Sequence, residues 1–518
     1  MEYLLGLDIG STYLKAGLFT VDGRQFAVEK TATKTHRLGE GEAIYEPIEI
    51  WESVSALTRK LTASLGAGDR ILSVAVASMG EAGLLLDANG RSLTPAISWF
   101  DSRGREMAED WAATFGEART FAITGLNVDY IYSLLKILWL KKHQPQVLAG
   151  AHKWLCMTDF IYYRLSGEYC TDYSIASRTM VFDITKRTWS RGILEAAELE
   201  SGLFPSAYRG GTQVGVVSET AARETGLTPG TPVVTGGHDH ICGAFAVGAF
   251  GPGKVLDSSG TAESVVAAFR ELPILKQELF KGFNVGCHVT DAYYLQGGIN
   301  ASGLSIEWFK DEFGKSEKLA AEASGVDAYE ALMMEAAESS AGAKGIIFVP
   351  HLRGAAPPYR DRHSRAAFLG IRDYHRRGDF IRAVLEGLAF EFVLMLDEME
   401  KILDLAVSEV LVTGGGTRNH LWMEIKAAAS GRTIAVPAVE EATLLGAALL
   451  GGIGAGVYRD ADEAVAATHK CSKAYRPDPE LSHAYRLPLE TYRRIIPLAR
   501  EINQRIRQAR IDLSSAQT

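Results

Sequence analysis

The chain has few cysteines and no long uninterrupted run of apolar residues. Its 518 residues include five cysteines, which are dispersed and lack the spacing of a metal site, so we expect a reducing compartment and a cytoplasmic location. The longest apolar stretch, residues 444–458, is rich in glycine and shorter than the roughly 18–20 residues of a membrane helix. We expect a packed helix there. The N-terminus has no basic region followed by an apolar one, so no secretion signal is expected.

The chain also lacks an excess of positive charge. It carries 54 basic and 63 acidic residues, for a net charge of −9, which argues against nucleic acid or an anionic membrane as the main partner. Any anionic ligand must therefore be held locally. The length predicts two lobes of about 200–250 residues each. The sequence leaves the oligomeric state open, with a homodimer as one option.

A strand that ends in Leu-Asp and runs into a turn of small residues occurs twice, at residues 8–12 and 257–261. Such turns offer backbone N–H groups and hydroxyls to an anion, and a repeat indicates two related lobes that share one nucleotide phosphate chain. Asp8 would lie beside a Mg²⁺–phosphate pair. The alternative is an ordinary hairpin in which Asp8 and Ser11 bond the turn amides. The pair of turns is more specific than either turn alone.

The segment Gly-Gly-His-Asp-His, residues 236–240, follows an apolar strand. Glycines after a strand permit close approach of a ligand, and Asp239 would lie at the carboxyl end of the strand, where it can act as a general base. The alternative is that Asp239 caps a helix beginning near Cys242. His238 and His240 suggest a metal site, but the sequence shows no third ligand nearby.

A third glycine cluster, residues 414–416, links a predicted strand to a predicted helix through Asn419. Glycines at such a turn let a base or a phosphate approach the backbone. The alternative is a tight turn that requires positive φ.

Apolar runs closed by Gly, Asp or Pro alternate with segments of helical periodicity, which predicts α/β lobes. The predicted strands are residues 3–7, 13–19, 72–77, 83–86, 232–235, 255–258, 264–268, 346–349, 410–413 and 433–436. The predicted helices are 133–141, 379–403, 420–429 and 489–507, the last broken or kinked at Pro497. The glycine-rich segment 246–253 marks a hinge between an N-terminal lobe, 1–247, and a C-terminal lobe, 248–518.

Two longer segments carry a resemblance to a known family. SLLKILWLKKH, from Ser133, and AFLGIRDYHRRGDFIRAVLE, from Ala367, resemble the two signatures of the FGGY family of carbohydrate kinases, within the actin, Hsp70 and sugar kinase superfamily. Ile131 departs from the first pattern, where small or aromatic residues are usual. The likeness runs from Leu4 to about Tyr458. It implies an α/β fold of two ribonuclease-H-like (actin-like ATPase) lobes with a nucleotide and sugar cleft between them.

The resemblance also implies an activity: ATP-dependent phosphorylation of a hydroxyl of a small sugar, such as a pentulose, or of a polyol, with Mg²⁺. By position in the family pattern, Asp239 is the catalytic base and a substrate contact, and Asp8 helps to place Mg²⁺. The implied ATP-binding residues are Gly10, Ser11, Thr12, Lys15, Gly260, Thr261, Gly415, Gly416 and Asn419. The implied sugar-binding residues are Trp99, Asp101 and Arg103.

Two departures from the family pattern bear on the substrate. Glu81, in the segment SMGEAG, stands where family members touch sugar hydroxyls, and we expect its carboxylate to have little packing and to face solvent or a ligand. The alternative is a surface glutamate without a role. Ala355 and Ala356 replace a frequent acid and base. A polyol or an unusual ketose is therefore as plausible as xylulose.

Two other classes of function stay open on the sequence. A chaperone-type ATPase would share the phosphate turns but would lack both signatures and would need a peptide-binding module. A sugar sensor without catalysis would share the fold. The arginines of residues 492–510 predict a solvated helix that packs on the second lobe.

Overall fold

Two mixed β-sheets form the centres of the two halves of the chain in the computed structural model, which describes residues 1–314, 328–468 and 471–515. The first sheet has six strands, in the order Gln213–Val216, Pro232–His238, Arg70–Ser78, Glu2–Ile9, Tyr13–Thr20 and Gln25–Ala32. The second has seven, in the order Asn284–Cys287, Tyr293–Ile299, Glu263–Phe269, Lys254–Ser259, Glu409–Thr413, Thr433–Pro437 and Cys471–Tyr475.

The two sheets repeat one pattern of pairing. In each sheet, one strand carries the Leu-Asp pair near its end and leads into a glycine turn. That strand pairs antiparallel with the next strand in sequence and parallel with a strand from further along the chain. A second parallel pair and an antiparallel edge strand follow on the same side. The topology therefore confirms the internal repeat that the two turns predict.

The remaining elements surround these sheets. A five-stranded sheet contains His36–Gly39, Glu42–Tyr45, Ala96–Ile97, Gly83–Leu86 and Lys153–Cys156. Further short strands are Cys170–Asp172, Phe182–Asp183, Thr188–Trp189, Ser206–Tyr208, Ile347–Val349 and Ala367–Leu369. The α-helices are Pro47–Ala63, Arg105–Trp111, Glu117–Thr124, Ser133–His143, Pro145–Ala149, Met157–Ser166, Tyr173–Ser177, Arg191–Ala197, Glu219–Thr225, Asp239–Ala246, Gln277–Phe280, Gly303–Phe313, Ala328–Glu338, Arg377–Leu403, His420–Ser430, Ala442–Gly454, Ala461–Thr468 and Pro479–Ser515. The described residues also contain one π-helical turn, Ala112–Gly116, and the 3₁₀ turns Ser102–Gly104, Ser201–Leu203, Ala343–Gly345 and Gly415–Arg418.

All ten predicted strands and all four predicted helices are present, with small differences in their bounds except for the last helix, predicted as 489–507, which runs from Pro479 to Ser515. The predicted break at Pro497 is wrong, because the C-terminal helix is continuous from Pro479 to Ser515. Tyr492 and Ile496, just before the proline, are fully buried, and the Tyr492 hydroxyl donates to Glu391 at 2.6 Å. This packing offsets the about 3 kcal/mol that an interior proline costs a helix.

Two helices cross between the sheets, Asp239–Ala246 and Ala442–Gly454. They can touch because Gly446 has no side chain: a Cβ there would lie 2.0 Å from the Cys242 carbonyl oxygen. The second helix also packs on the first sheet, where a Cβ at Gly6 would lie 2.2 Å from the Leu444 carbonyl oxygen. The apolar stretch 444–458 is thus a packed helix up to Gly454, as predicted, and continues as a turn. Within the described ranges no helix is long and apolar enough to cross a membrane.

Candidate active site

Asp8 lies at the end of the first strand, at the start of the first glycine turn. It is buried, and its Oδ1 atom has no hydrogen-bond partner among the described residues. Burial and the nearby charge of Asp239 together raise the pKa of Asp8 to about 7, and Lys15 opposes both effects. A buried carboxylate oxygen without a partner fits a cation, and Mg²⁺ bound with phosphates uses only one or two carboxylates.

The two glycine turns are closed by the same kind of bond. The Gly10 amide donates to the Tyr13 carbonyl at 3.1 Å, and the Gly260 amide donates to the Ala262 carbonyl at 3.0 Å. Both are hairpin turns, as the alternative interpretation held. Within the described part of the chain, however, neither Asp8 nor Ser11 bonds a turn amide through its side chain, and Thr12 and Thr261 are exposed. The hydroxyls are therefore available to a ligand.

The two turns differ in whether a nearby cation compensates the charge of their aspartate. Lys426 donates to Asp257 at 2.6 Å and to Glu263 at 3.0 Å, and all three side chains are fully buried. Asp8 has no comparable bond, because Lys15, which lies opposite it in the hairpin, pairs with Glu441 at 2.5 Å instead. Only the first turn thus offers an uncompensated carboxylate.

Asp239 begins the helix that follows the strand Pro232–His238, and its side chain is 28% exposed. Its Oδ1 accepts a hydrogen bond from the adjacent His240 amide at 2.6 Å. The helix-cap interpretation is wrong, because the helix starts at Asp239 itself and its N-cap position is His238. Burial raises the pKa of Asp239, but the His240 and His238 rings, the His240 amide and Arg178 outweigh it and hold the pKa below the ordinary value. An ionised, partly exposed carboxylate can accept a proton.

The two histidines beside Asp239 do not form a metal site. The His238 Nδ1 atom lies 3.2 Å from Asp239 Oδ1, and burial lowers the pKa of His238 to about 3. The rings of His238 and His240 are 5.6 Å apart. Across residues 1–314, 328–468 and 471–515, no three His, Cys, Asp or Glu side chains are grouped to bind a metal.

A buried network, not predicted from the sequence, holds the strand end that carries Asp239. The His238 amide donates to the Ser174 hydroxyl at 2.8 Å, and that hydroxyl donates to Asp172 at 2.5 Å. Asp172 also accepts the amides of Ser174 and Ile175 at the start of the helix Tyr173–Ser177. The Asp-x-Ser pattern could have indicated this cap, but not its contact with residue 238.

Glu81 is neither exposed nor weakly packed, which corrects both sequence-based interpretations. It is 4% exposed, and Arg178 donates its Nε to Glu81 Oε1 at 2.5 Å, with Nη2 against the same oxygen. Lys136 donates to the Glu81 carbonyl oxygen at 2.8 Å. The prediction of a weakly packed Glu81 failed because Arg178 comes from a distant segment of the chain, and no local sequence pattern indicates that the two residues pair.

Arg178 also connects the lobes. Its Nη1 donates to the Gln296 side-chain oxygen at 3.2 Å, and the Gln296 amide donates to Ser264 at 2.9 Å. Ser264 lies three residues after Thr261, on the strand that leaves the second turn. The ion pair of Glu81 and Arg178 is thus tied to the wall of the opposite lobe.

The three other predicted sugar residues are arranged differently from one another. Asp101 is fully buried and accepts bonds from the Ala43 amide at 2.7 Å and from the Arg103 amide at 2.9 Å, Nε at 2.8 Å and Nη2 at 2.9 Å. The Arg103 guanidinium lies over the Trp139 ring at 4.8 Å. Trp99 is 38% exposed. Of these three, Trp99 alone presents a substantial surface to a ligand.

The third glycine cluster packs on the second turn. Gly414 has a φ of +88°, as the tight-turn interpretation requires, and a Cβ there would lie 2.5 Å from the Ser259 carbonyl oxygen. Gly415 has no atom within 4 Å of its Cβ position, whereas a Cβ at Gly416 would meet the Ser259 hydroxyl at 2.2 Å. Asn419 caps the next helix through the Trp422 amide at 3.0 Å. Open space lies over Gly415, where a flat base could rest.

Comparisons with known proteins agree with this arrangement. Models of the FGGY family of carbohydrate kinases match residues 3–246 (N-terminal domain) and 258–455 (C-terminal domain). A xylulose kinase from Bacillus subtilis is 27% identical over 98% of this chain and 100% of its own. An L-fuculokinase from Escherichia coli is 30% identical over 92% of this chain and 98% of its own. The crystal structure of xylulose kinase from Rhodospirillum rubrum superposes with a TM-score of 0.89 at 26% identity, over 97% of this chain and 100% of that one.

Proposed function

Because the chain belongs to the FGGY family of carbohydrate kinases, we propose that it transfers the γ-phosphate of ATP to a hydroxyl of a small sugar, such as a pentulose, or of a polyol, with Asp239 as the general base. The pairing of two differently ionised carboxylates carries this proposal. Asp239 is held ionised. Asp8 is buried, its Oδ1 atom has no hydrogen-bond partner among the described residues, and the charge of Asp239 raises its pKa.

Asp239 takes the proton of the attacking hydroxyl. Its carboxylate is partly exposed at the start of a helix, and the His240 amide fixes one oxygen. The second oxygen is left for the substrate. The low pKa of Asp239 keeps it ionised at neutral pH, and a weak base of this kind accepts the proton late, when the bond to phosphorus is already forming.

The two glycine turns bind the phosphates of ATP from opposite sides. Their amides and the hydroxyls of Ser11, Thr12 and Thr261 donate to phosphate oxygens, and the surface over Gly415 and Gly416 takes the adenosine. Asp8 would hold Mg²⁺, which, when bound, neutralises charge on the phosphates. Lys15 pairs with Glu441 across the lobes and would reach ATP only by leaving that partner.

The sugar lies between Trp99, Arg178 and Asp239. Glu81 acts through Arg178, whose guanidinium it holds in place, rather than as a free carboxylate. Of the other functions considered, a chaperone-type ATPase is not favoured, because the family match spans both lobes. A sensor without catalysis is not favoured, because Asp239 stays ionised and Asp8 keeps a carboxylate oxygen without a partner among the described residues, which a cation can bind. We place the lobe boundary between residues 247 and 248.

The test is a screen of ketoses and polyols of four to six carbons for ATP consumption, with the product position assigned by phosphorus–proton NMR. With the substrate that this screen identifies, Asp239→Asn should lower kcat by about 10²–10⁴-fold, the usual contribution of a general base. Sugar affinity, measured by calorimetry, should stay close to that of the wild type. Asp291→Asn, at an exposed carboxylate paired with Arg209, is the matched control and should leave kcat unchanged.

Near-wild-type turnover of Asp239→Asn would contradict the assignment of the base. A wild-type protein that binds sugar and ATP but consumes neither would favour the sensor.

A further inference from the structure

A cavity of about 420 Å³ lies next to the proposed base Asp239 and is lined mostly by residues of the second lobe. This volume lies within the about 300–1,000 Å³ typical of small-molecule pockets. His240, next to the base, and Arg178, next to Glu81, line it. None of the described residues of the two phosphate turns, 10–12 and 260–261, lines it. The cavity therefore belongs to the sugar rather than to the nucleotide.

Four arginines line this cavity, and two of them lack a counter-charge. Arg178 pairs with Glu81, and Arg360 lies 3.5 Å from Asp129. Arg353 and Arg362 have no carboxylate partner anywhere in the described ranges.

The nearby acids are already committed to other cations. Asp361 is the sole acid of residues 351–365, and it pairs with Arg500 of the C-terminal helix at 3.3 Å. Glu263, on the cavity wall, is held by Lys426 at 3.0 Å. Two uncompensated positive charges thus remain in a protein whose net charge is −9.

The backbone sets these two arginines side by side. Ala355 and Asp361 exchange amide-to-carbonyl bonds of 2.8 and 2.9 Å, which closes the loop between them, and Arg353 and Arg362 flank that closure. A Cβ at Gly354 would lie 2.9 Å from the Arg362 Cα atom. Asn300 fixes the Arg353 carbonyl oxygen at 3.3 Å. The fold therefore determines the backbone positions of both arginines, whose side chains are exposed.

The size and polarity of the remaining wall suit a hydroxylated ligand. Ala355 and Ala356 line the cavity and have no side chain beyond a methyl group, so they take up little of its volume. Asn284, Gln296 and Ser264 supply neutral polar groups for hydroxyls. Guanidinium groups bind carboxylate and phosphate oxygens in pairs, with hydrogen bonds stronger than those to neutral partners.

Resting on the kinase function proposed above, we propose that the substrate is an anionic sugar, with a carboxylate or a phosphate ester bound by Arg353 and Arg362 and the transferred hydroxyl at Asp239. The anionic group lies at the end of the molecule remote from the reacting hydroxyl. The neutral part of the chain spans the cavity between them.

The test compares matched ligands that differ in charge. Aldonic acids of five and six carbons, the alditols of the same length, and the corresponding sugar monophosphates are supplied with ATP, and ADP formation is measured. The wild type should use an acid or a monophosphate with a kcat/KM at least about 10-fold above that of the matched alditol. Comparison of kcat/KM between the aldonic acids and the sugar monophosphates identifies whether the anionic group is a carboxylate or a phosphate ester.

The variant is Arg353→Gln with Arg362→Gln, and Arg365→Gln, an exposed arginine outside the cavity, is the control. The double variant should raise KM for the anionic substrate by about 10–100-fold, with kcat and the KM for ATP nearly unchanged. The control should match the wild type. Circular dichroism melting checks that each variant folds, and the Arg353→Gln single variant provides a milder change.

Three results would overturn the proposal. Equal or better use of the alditol would show a neutral substrate, with the kinase function intact. A rise in the KM for ATP alone would assign the arginines to the nucleotide. If the wild type phosphorylates none of these compounds, calorimetry still decides: absence of aldonate and monophosphate binding, or equal binding by wild type and double variant, would overturn the anion site, whereas binding lost in the double variant would uphold it and reject only the kinase function.

Discussion

Two carboxylates at the site are given opposite properties by their surroundings. Burial and the charge of Asp239 raise the pKa of Asp8 to about 7, whereas two histidine rings, an amide and Arg178 hold the pKa of Asp239 low. Environments that separate the pKa values of neighbouring acids assign them different tasks. Asp239 is suited to accept a proton, and Asp8 is suited to bind a cation that would stabilise its charged form.

At the same scale, Glu81→Ala should destabilise the fold as well as alter sugar binding. The change leaves the Arg178 guanidinium buried without its counter-charge, which costs about 3–5 kcal/mol for a buried pair. Asp129→Ala is the matched control, because its pair with Arg360 is half-exposed and worth about 0–1 kcal/mol. Urea unfolding measures both. Equal, small losses in the two variants would mean that the Glu81 pair contributes nothing beyond a surface contact.

At the scale of elements, the turns at the ends of paired strands are proposed to bind the phosphates of ATP. Thr12→Ala and Thr261→Ala should each raise the KM for ATP by about 10–100-fold, because each removes a hydrogen bond to a charged group. Sugar affinity without nucleotide should be unchanged. Thr491→Ala, on the exposed side of the C-terminal helix, is the control. A loss of sugar affinity with the KM for ATP intact would show that the turns do not hold the nucleotide.

The short helix Tyr173–Ser177 supports the strand that ends at His238, and its cap should titrate. Burial raises the pKa of Asp172 to about 6, against about 3.9 in an unfolded chain. The folded state therefore retains a proton that the unfolded state has lost, so the free energy of unfolding falls as pH rises from about 4 to about 6, by up to about 3 kcal/mol.

Asp172→Asn cannot lose this proton, and its free energy of unfolding should fall less over the same pH window. Denaturant unfolding at several pH values measures the difference between the two proteins. Parallel pH curves for wild type and variant would show that Asp172 does not titrate in this window.

At the scale of the whole molecule, the lobes meet through two crossing helices. Gly446→Ala would place a methyl group 2.0 Å from the Cys242 carbonyl oxygen, so the helices must separate, at a cost of about 1–3 kcal/mol for overpacking. The KM values for sugar and ATP should rise together if both ligands bind between the lobes, as proposed above.

Gly243→Ala, on the facing helix, is the matched control. Its Cβ would meet only the Thr443 hydroxyl at 3.6 Å, an ordinary contact, so stability and kinetics should stay near those of the wild type. Unfolding curves and steady-state kinetics check both variants. Equal effects of the two substitutions would mean that helix propensity, and not the crossing, decides.

The sequence by itself determined the repeated strand-and-turn units, the α/β class, the position of Asp239 after a buried strand and the family, because each depends on residues close together in the chain. Only the tertiary structure decided which charges are compensated. Glu81 meets Arg178, Lys15 meets Glu441, and Asp8 Oδ1 has no hydrogen-bond partner within the described part of the chain. These pairs join distant segments, and electrostatic free energy depends on distance in space and on burial, neither of which a local pattern encodes.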